Sequence, residues 1–300
     1  MRGKVRILLY RGDGDTAQWE AGLKAALPDA QVTTWTAGPA DCDYAVVWAP
    51  SAELLAQLQK VKAIFLMGAG VDAILKFGDA LPPAPIIRLG DAGMGEQMAD
   101  YVTHAVLRTF RRFDEYDRQL RLGVWKPLPT HDKQDFSIGV LGTGQLGTRV
   151  IEALRPLGFP VRGWRRNGAG TLDDFLRGTR VLVCLLPLTP DTENILDHAR
   201  LSLLAQGGHV INVARGALID DEALLALIRS GHLGGATLDV FRTEPLPLDH
   251  PFWGEPRITI TPHISALTLV PEAVAQITDK IAALARGDTV ADIVDRTRGY

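Results

Sequence analysis

The stretch from Ser137 to Gly147 constrains the fold of this chain more than any other. An apolar strand carrying Ile138, Val140 and Leu141 runs directly into Gly142-x-Gly144-x-x-Gly147. A helical pattern follows, with Leu146, Val150, Ile151 and Leu154 on one face, and it stops before Pro156. Strand, glycine turn and helix in that order are the context a dinucleotide-binding fingerprint requires. Gly142 permits the tight turn, Gly144 lets backbone approach a pyrophosphate, and Gly147 lets the helix pack closely on the strand. The helix N-terminus then offers unpaired N–H groups and the positive end of its dipole to phosphates. Three glycines at this spacing can also make a simple turn; the clean strand before them and the clean helix after them favour the nucleotide.

A chain of 300 residues has room for two such α/β cores. The formal net charge of -3, with no basic block, argues against nucleic acid as a partner. No apolar run approaches the ~20 residues of a membrane span. The clearest candidate, Val181 to Leu186, is stopped by Pro187. The N-terminus, Met1 to Ile7, enters a strand pattern rather than a signal-peptide core. Of the two cysteines, Cys42 and Cys184, the second lies in an apolar run and reads as a small buried hydrophobe. No cluster has metal-ligand spacing. These features predict a cytoplasmic enzyme without a metal.

The first third of the chain alternates strand and helix. Strands are predicted at 5–10, 44–48, 63–67 and 85–88, and helices at 16–27 and 51–59, the second with Ser51 as N-cap. From Met94 a long helical pattern runs through Met98, Tyr101, Val102, Ala105, Val106, Thr109 and Phe113 into a charged end near Arg121. A helix of that length suits a crossing between two domains. A proline-rich segment, 123–129, leads to the fingerprint strand. Beyond it, strands are predicted at 161–165, 181–185, 209–213, 236–240 and 258–260, with helices at 199–205, 221–229 and 271–286. The final helix is expected to return to the first domain. The expected fold is therefore α/β, with two doubly wound parallel-sheet domains. A Rossmann cofactor domain, 94–264, is inserted into a flavodoxin-like substrate domain formed by 1–93 and 265–300.

Ligands of open parallel sheets sit outside the C-terminal strand ends. Arg215, Glu244 and His263 each fall just beyond such an end. Singly, each has an ordinary reading: a surface arginine, a loop acid before Pro245, a satisfied histidine. Together, on one nucleotide-binding sheet, they match the needs of hydride transfer from a reduced nicotinamide to a 2-keto acid. The arginine holds the carboxylate by paired hydrogen bonds and polarises the carbonyl. The histidine donates a proton to the developing alkoxide. The acid favours the imidazolium and fixes the ring.

Five segments carry a resemblance to the D-isomer-specific 2-hydroxyacid dehydrogenases: 139–147, 186–192 (Leu-Pro-Leu-Thr-Pro-Asp-Thr), 212–216 (Asn-Val-Ala-Arg-Gly), 238–246 (Leu-Asp-Val-Phe-Arg-Thr-Glu-Pro-Leu) and 261–266 (Thr-Pro-His-Ile-Ser-Ala). The resemblance covers nearly the whole chain. Trp48, the segments 68–72 and 125–129 and the C-terminal 294–300 are most similar to the glyoxylate/hydroxypyruvate reductase A branch. The resemblance implies Arg215 as substrate binder, His263 as acid and base, and Glu244 as its partner. It implies that the amides of Ala69 and Gly70 hold the substrate carboxylate and that Trp48 lines the pocket, in the cleft between the domains. Ordinary alternatives are a glycine turn and a core aromatic. For the cofactor it implies Gly142, Gly144, Gln145, Leu146, Gly147, Leu186, Pro187, Val213, Ala214, Arg215, Asp239 and His263. It implies a homodimer, in which Trp125 either reaches the neighbouring subunit's site or packs beside Pro127.

One departure is informative. An NAD-preferring enzyme places an acid after the second strand to bond the ribose 2′-hydroxyl. Here Arg165 takes that place and Arg166 follows. Arginine pairs with a 2′-phosphate, which an acid would repel. The expected activity is NADPH-dependent reduction of small 2-keto acids, glyoxylate and hydroxypyruvate first, with NAD as the lesser cofactor. The rival readings are a reductase of another 2-keto acid and a non-catalytic nucleotide-sensing protein on the same fold.

Overall fold

The computed structural model describes residues 4–300; Met1–Gly3, the start of the N-terminal segment read above, lie outside the described residues. The chain divides into two compact units, one formed by residues up to Gly93 together with Thr268–Tyr300, the other by Met94–Leu267.

In the first unit the elements run β1 (Arg6–Arg11), α1 (Ala17–Ala26), β2 (Gln31–Thr34), β3 (Tyr44–Trp48), α2 (Ala52–Gln57), β4 (Ala63–Leu66), α3 (Asp72–Leu75) and β5 (Ile86–Ile87). The strands form one sheet in the order β2-β1-β3-β4-β5, all parallel. This is the flavodoxin-like winding. Ser51 caps α2 as expected, its hydroxyl accepting from the Leu54 amide at 3.2 Å. β3 is apolar at every position because both its faces are covered. β2 escaped the sequence reading because it is an edge strand with only Val32 buried; a single apolar position gives no period to read.

The second unit contains α4 (Met94–Phe110), α5 (Phe113–Arg121), β6 (Ile138–Leu141), α6 (Gln145–Leu154), β7 (Val161–Trp164), α7 (Leu172–Leu176), β8 (Val181–Cys184), α8 (His198–Leu201), β9 (Gly208–Asn212), α9 (Asp221–Arg229), β10 (Leu233–Leu238) and β11 (Ile258–Ile260). Its parallel sheet has the order β11-β10-β9-β8-β6-β7. The winding reverses between β6 and β8, and the fingerprint turn leaves β6 at that point. Along β8, Val181 and Val183 enter the core beneath α4 and α6, while Leu182 and Cys184 enter the one beneath α7 and α9. That alternation into two apolar layers explains the continuous hydrophobic run. Burial pushes the Cys184 thiol up to about 12, so it stays an inert hydrophobe. The last helix, α10 (Val270–Arg286), belongs to the first unit and packs on α1.

Three expectations need correction. The pattern from Met94 to Arg121 is two helices, because Arg112 adopts a left-handed φ of 57°. The apolar stripe of α4 (Met98, Val102, Ala105, Val106) is buried, whereas α5 buries no residue and has nothing to continue the stripe. Arg112 instead turns the chain by pairing with Glu115 at 2.7 Å and donating to the Pro129 carbonyl at 2.9 Å. The helix expected at 199–205 ends at Leu201, after one turn capped by Asp197. Strand β10 starts earlier than expected because an irregularity between Leu233 and Gly235 admits the glycine pair. No helix among the described residues is long and apolar enough to cross a membrane.

Candidate active site

Arg215, Glu244 and His263 all belong to the second unit, at the carboxyl ends of β9, β10 and β11. The structure joins two of them directly: His263 Nδ1 lies 2.7 Å from Glu244 Oε2. The other carboxylate oxygen, Oε1, accepts from the Phe241 amide at 2.9 Å, which fixes the acid in its own loop. Burial pushes the Glu244 carboxyl up, but the bonds from His263 and Phe241 and the positive charges of His263 and Arg215 hold it below the ordinary glutamate value. An ionised Glu244 requires the hydrogen on Nδ1. Nε2 is then the ring nitrogen that Glu244 does not engage. The ring is accessible, with 42% of its side-chain surface exposed.

His263 carries a left-handed φ of 55°. A non-glycine residue holds such a conformation only where its surroundings impose it. Here the imposing group is Asp239, which is fully buried. Its carboxylate accepts from the amides of Ile264 at 2.9 Å and Ser265 at 2.8 Å, and its main-chain oxygen accepts from the His263 amide at 2.9 Å. Thr261 Oγ1 donates to Asp239 Oδ1 at 2.6 Å. Because that hydroxyl hydrogen is spent, Tyr101 OH, 2.6 Å away on α4, is the donor to Thr261. Burial pushes the Tyr101 phenol up to about 12. Asp239 thus supports the histidine loop from beneath. The sequence motifs imply Asp239 only as a cofactor contact and Tyr101 only as part of a helical stripe.

Arg215 follows a loop shaped by Asn212, which is buried. The Asn212 side chain donates to the Arg215 carbonyl at 2.9 Å and accepts from the Ala214 amide at 3.1 Å. Arg215 Nη1 donates to the Ala214 carbonyl at 2.7 Å. An asparagine closing a strand-end loop on its own backbone is a turn device that its place before Arg215 could have signalled.

The glycine turn fits a bound dinucleotide. A Cβ on Gly147 would fall 1.8 Å from the Gly142 oxygen, and one on Gly142, at φ 96°, would fall 2.5 Å from the Leu185 oxygen. Beside Gly144 there is open space. No side chain caps α6 and no acid occupies its first turn, so its N-terminus is left for an external anion. Gln145 is exposed and Leu146 half-buried at that end. Leu186 and Val213 bury their side chains, 7% and 5% exposed, so they offer backbone at the sheet edge, as do their half-buried neighbours Pro187 and Ala214. Arg165 follows β7 immediately, one residue beyond Trp164, whose carbonyl accepts from Gly142. Arg165 and Arg166 are both exposed, and Arg166 pairs with Asp191 at 2.9 Å.

In the first unit, Trp48 ends β3 and its ring lies against Gly68. Ala69 and Gly70 follow β4 in the loop before α3, and their amides make no backbone hydrogen bond among the described residues. Trp125 is 99% exposed, which removes packing beside Pro127 as the reason for it.

The profile of the D-isomer specific 2-hydroxyacid dehydrogenase NAD binding domain matches residues 103–265, the span that contains the fingerprint, Arg215, Glu244 and His263. A glyoxylate/hydroxypyruvate reductase A of Escherichia fergusonii is 44% identical over 311 residues, covering 98% of this chain and 99% of that protein. Among solved structures, a D-isomer specific 2-hydroxyacid dehydrogenase from Xanthobacter autotrophicus Py2, in complex with NADPH and MES, matches with a TM-score of 0.93 and 36% identity. That match covers 99% of this chain and all of the other. An NADPH-dependent glyoxylate/hydroxypyruvate reductase from Sinorhizobium meliloti, in complex with NADP and sulfate, matches with a TM-score of 0.92 and 31% identity over 99% of this chain and 100% of that one. With the sheet winding, the fingerprint and full-length relatives all in agreement, this chain belongs to the D-isomer specific 2-hydroxyacid dehydrogenase family.

Proposed function

We propose that this protein is an NADPH-dependent reductase of small 2-keto acids, with glyoxylate and hydroxypyruvate as its first substrates. The observation that carries the reading is the 2.7 Å contact between His263 and Glu244 at the sheet edge that also bears the fingerprint. The relatives' names and their NADPH and NADP complexes support it. Gly142, Gly144, Gln145, Leu146 and Gly147 would hold the pyrophosphate, and Arg165 with Arg166 the 2′-phosphate. When bound, NADPH supplies the hydride. Arg215 binds the substrate carboxylate and polarises the keto oxygen. His263, protonated and held by Glu244 through Nδ1, gives the proton on Nε2 to that oxygen. Glu244 carries no proton itself; it orients the ring and balances its charge. Ala69 and Gly70 would add amide donors to the carboxylate, and Trp48 would limit the substrate's size.

The same reading makes the protein a cytoplasmic homodimer. Its support is an exposed apolar run at the end of α5 and beyond, Leu120 at 78%, Leu122 at 78% and Trp125 at 99%, which a second copy would cover. Both cysteines are free, in keeping with a reducing compartment.

A panel of 2-keto acids assayed with NADPH and with NADH tests the reading directly. Turnover of glyoxylate and hydroxypyruvate with NADPH is expected, and His263→Ala should lose at least ~100-fold. Near-normal turnover in a folded His263→Ala protein would remove the mechanism, and no turnover of any 2-keto acid by wild type would favour the non-catalytic alternative.

A further inference from the structure

Arg242 stands in the loop between β10 and Glu244, and none of the chemistry above uses it. Its guanidinium reaches to the loops after β8 and β9. Nη2, with two hydrogens, lies 2.9 Å from the Ile219 carbonyl oxygen, 3.3 Å from the Ala217 carbonyl oxygen and within hydrogen-bond reach of the side-chain oxygen of Asn194. Nη1 lies 3.4 Å from Glu193 Oε1. Asn194 is itself tied to the same loop, its amide donating to the Ala217 oxygen at 2.8 Å. Ala217 lies in the short turn Gly216–Leu218 that begins directly after Arg215, and Ile219 ends it. The two loops also touch through backbone: a Cβ on Gly216 would fall 2.0 Å from the Phe241 carbonyl carbon and 2.3 Å from the Arg242 nitrogen.

We infer that Arg242 is a positioning residue. It staples the loop that bears Glu244 to the loop that bears Arg215, and so fixes where the Glu244 carboxylate meets His263. The inference rests on the proposed roles of Glu244 and His263. An exposed ion pair with Glu193 would do little. The guanidinium, however, sets Nη2 among oxygens of both loops while Nη1 faces Glu193, so one side chain ties the two loops together. The neighbouring Phe241 amide then holds Oε1, so a displaced Phe241–Thr243 segment displaces the carboxylate.

The test is a double-mutant cycle in the full-length protein, read by the pH profile of 2-keto acid reduction. Glu244→Gln removes the charge that favours the protonated ring, so the alkaline limb of its profile moves to lower pH. Arg242→Met should lower kcat about tenfold, the scale of one lost charge-assisted hydrogen bond. It should also move the alkaline limb in the same direction as Glu244→Gln. In the Glu244→Gln background the same substitution should cost less than about threefold and move the limb no further. Arg242→Lys keeps a donor and should recover part of the loss, which separates loop positioning from general damage and serves as the readout if Arg242→Met does not fold. A wild-type pH profile in both Arg242 variants would overturn the inference, as would an undiminished effect in the Glu244→Gln background. Those results leave the catalytic reading standing if His263→Ala still loses turnover; failure of His263→Ala itself is the separate failure of that reading.

Discussion

The two sheets wind the same way around their first strands, and each first strand ends in Gly-x-Gly, yet the turns differ in what fills them. In the first unit β1 runs into Gly12-Asp13-Gly14-Asp15. Arg11 grips Asp13 through Nε at 2.9 Å and Nη2 at 2.6 Å, and Asp13 accepts from the Asp15 amide at 3.2 Å. The Gly12 amide crosses to the Trp48 oxygen of β3 at 3.1 Å. The turn therefore carries its own anion. In the second unit Gly142-Thr143-Gly144 has no acid, and the Gly142 amide turns away to the Trp164 oxygen of β7 at 2.9 Å. Its helix starts uncapped, with no carboxylate in the first turn. Sheet winding supplies a crevice in both units; the charge and hydrogen-bond occupancy of the turn decide which crevice suits a phosphate.

The largest expected effect that probes this contrast is at Gly147. Gly147→Ala forces a methyl onto the Gly142 oxygen, and overpacking of ~1–3 kcal/mol should weaken NADPH binding by up to about 100-fold. Gly12→Ala meets the Ala49 oxygen at 3.3 Å as its nearest neighbour, with the Ala49 Cβ at 3.5 Å, and should leave NADPH binding at the wild-type level. Fluorescence titration of both variants checks the pair, and equal losses would erase the distinction between the turns.

Arg165 sharpens the comparison from the side of selectivity. A charge-assisted contact of ~1.5–3 kcal/mol gives about a 10- to 100-fold preference for NADPH over NADH in kcat/KM. Added salt should shrink it. Arg165→Asp should erase or invert it; identical ratios in wild type and variant would make the arginines surface charges only.

Thr143 occupies in the second turn the place that Asp13 occupies in the first. Thr143→Asp gives the phosphate site a resident negative charge and should weaken NADPH about tenfold, a cost of ~1.4 kcal/mol. The loss should be smaller at high salt. An unchanged Kd would mean that occupancy by the acid does not matter.

The smallest effect belongs to Arg11. Its hydrogen bond holds the Asp13 carboxyl down at about 2. A carboxyl depressed in the folded state stabilises above its unfolded value, and the contribution is lost as pH falls through the folded one. The pair is solvent-exposed, so Arg11→Met should cost no more than ~1 kcal/mol at neutral pH. Thermal melts of the two proteins should converge as pH drops toward about 2; a difference that persists there would assign the effect to packing.

Local sequence determined what depends on neighbours along the chain. The fingerprint, the double-sided apolar strands such as Val181–Cys184, the Ser51 cap and the placement of Arg215, Glu244 and His263 after strands are all written in short runs, because period and turn chemistry act over a few residues. Edge strand β2 and the left-handed break at Arg112 were not legible there, since neither leaves a periodic trace. Tertiary structure alone decided what depends on where separate loops end. It brought Glu244 within 2.7 Å of His263, fixed the histidine's left-handed backbone over the buried Asp239, threaded Tyr101 through Thr261 to that acid, and turned Arg242 onto the Arg215 loop. These contacts join residues distant in sequence, and their geometry is set by the packing of whole strands and helices, a property that no window of the chain contains.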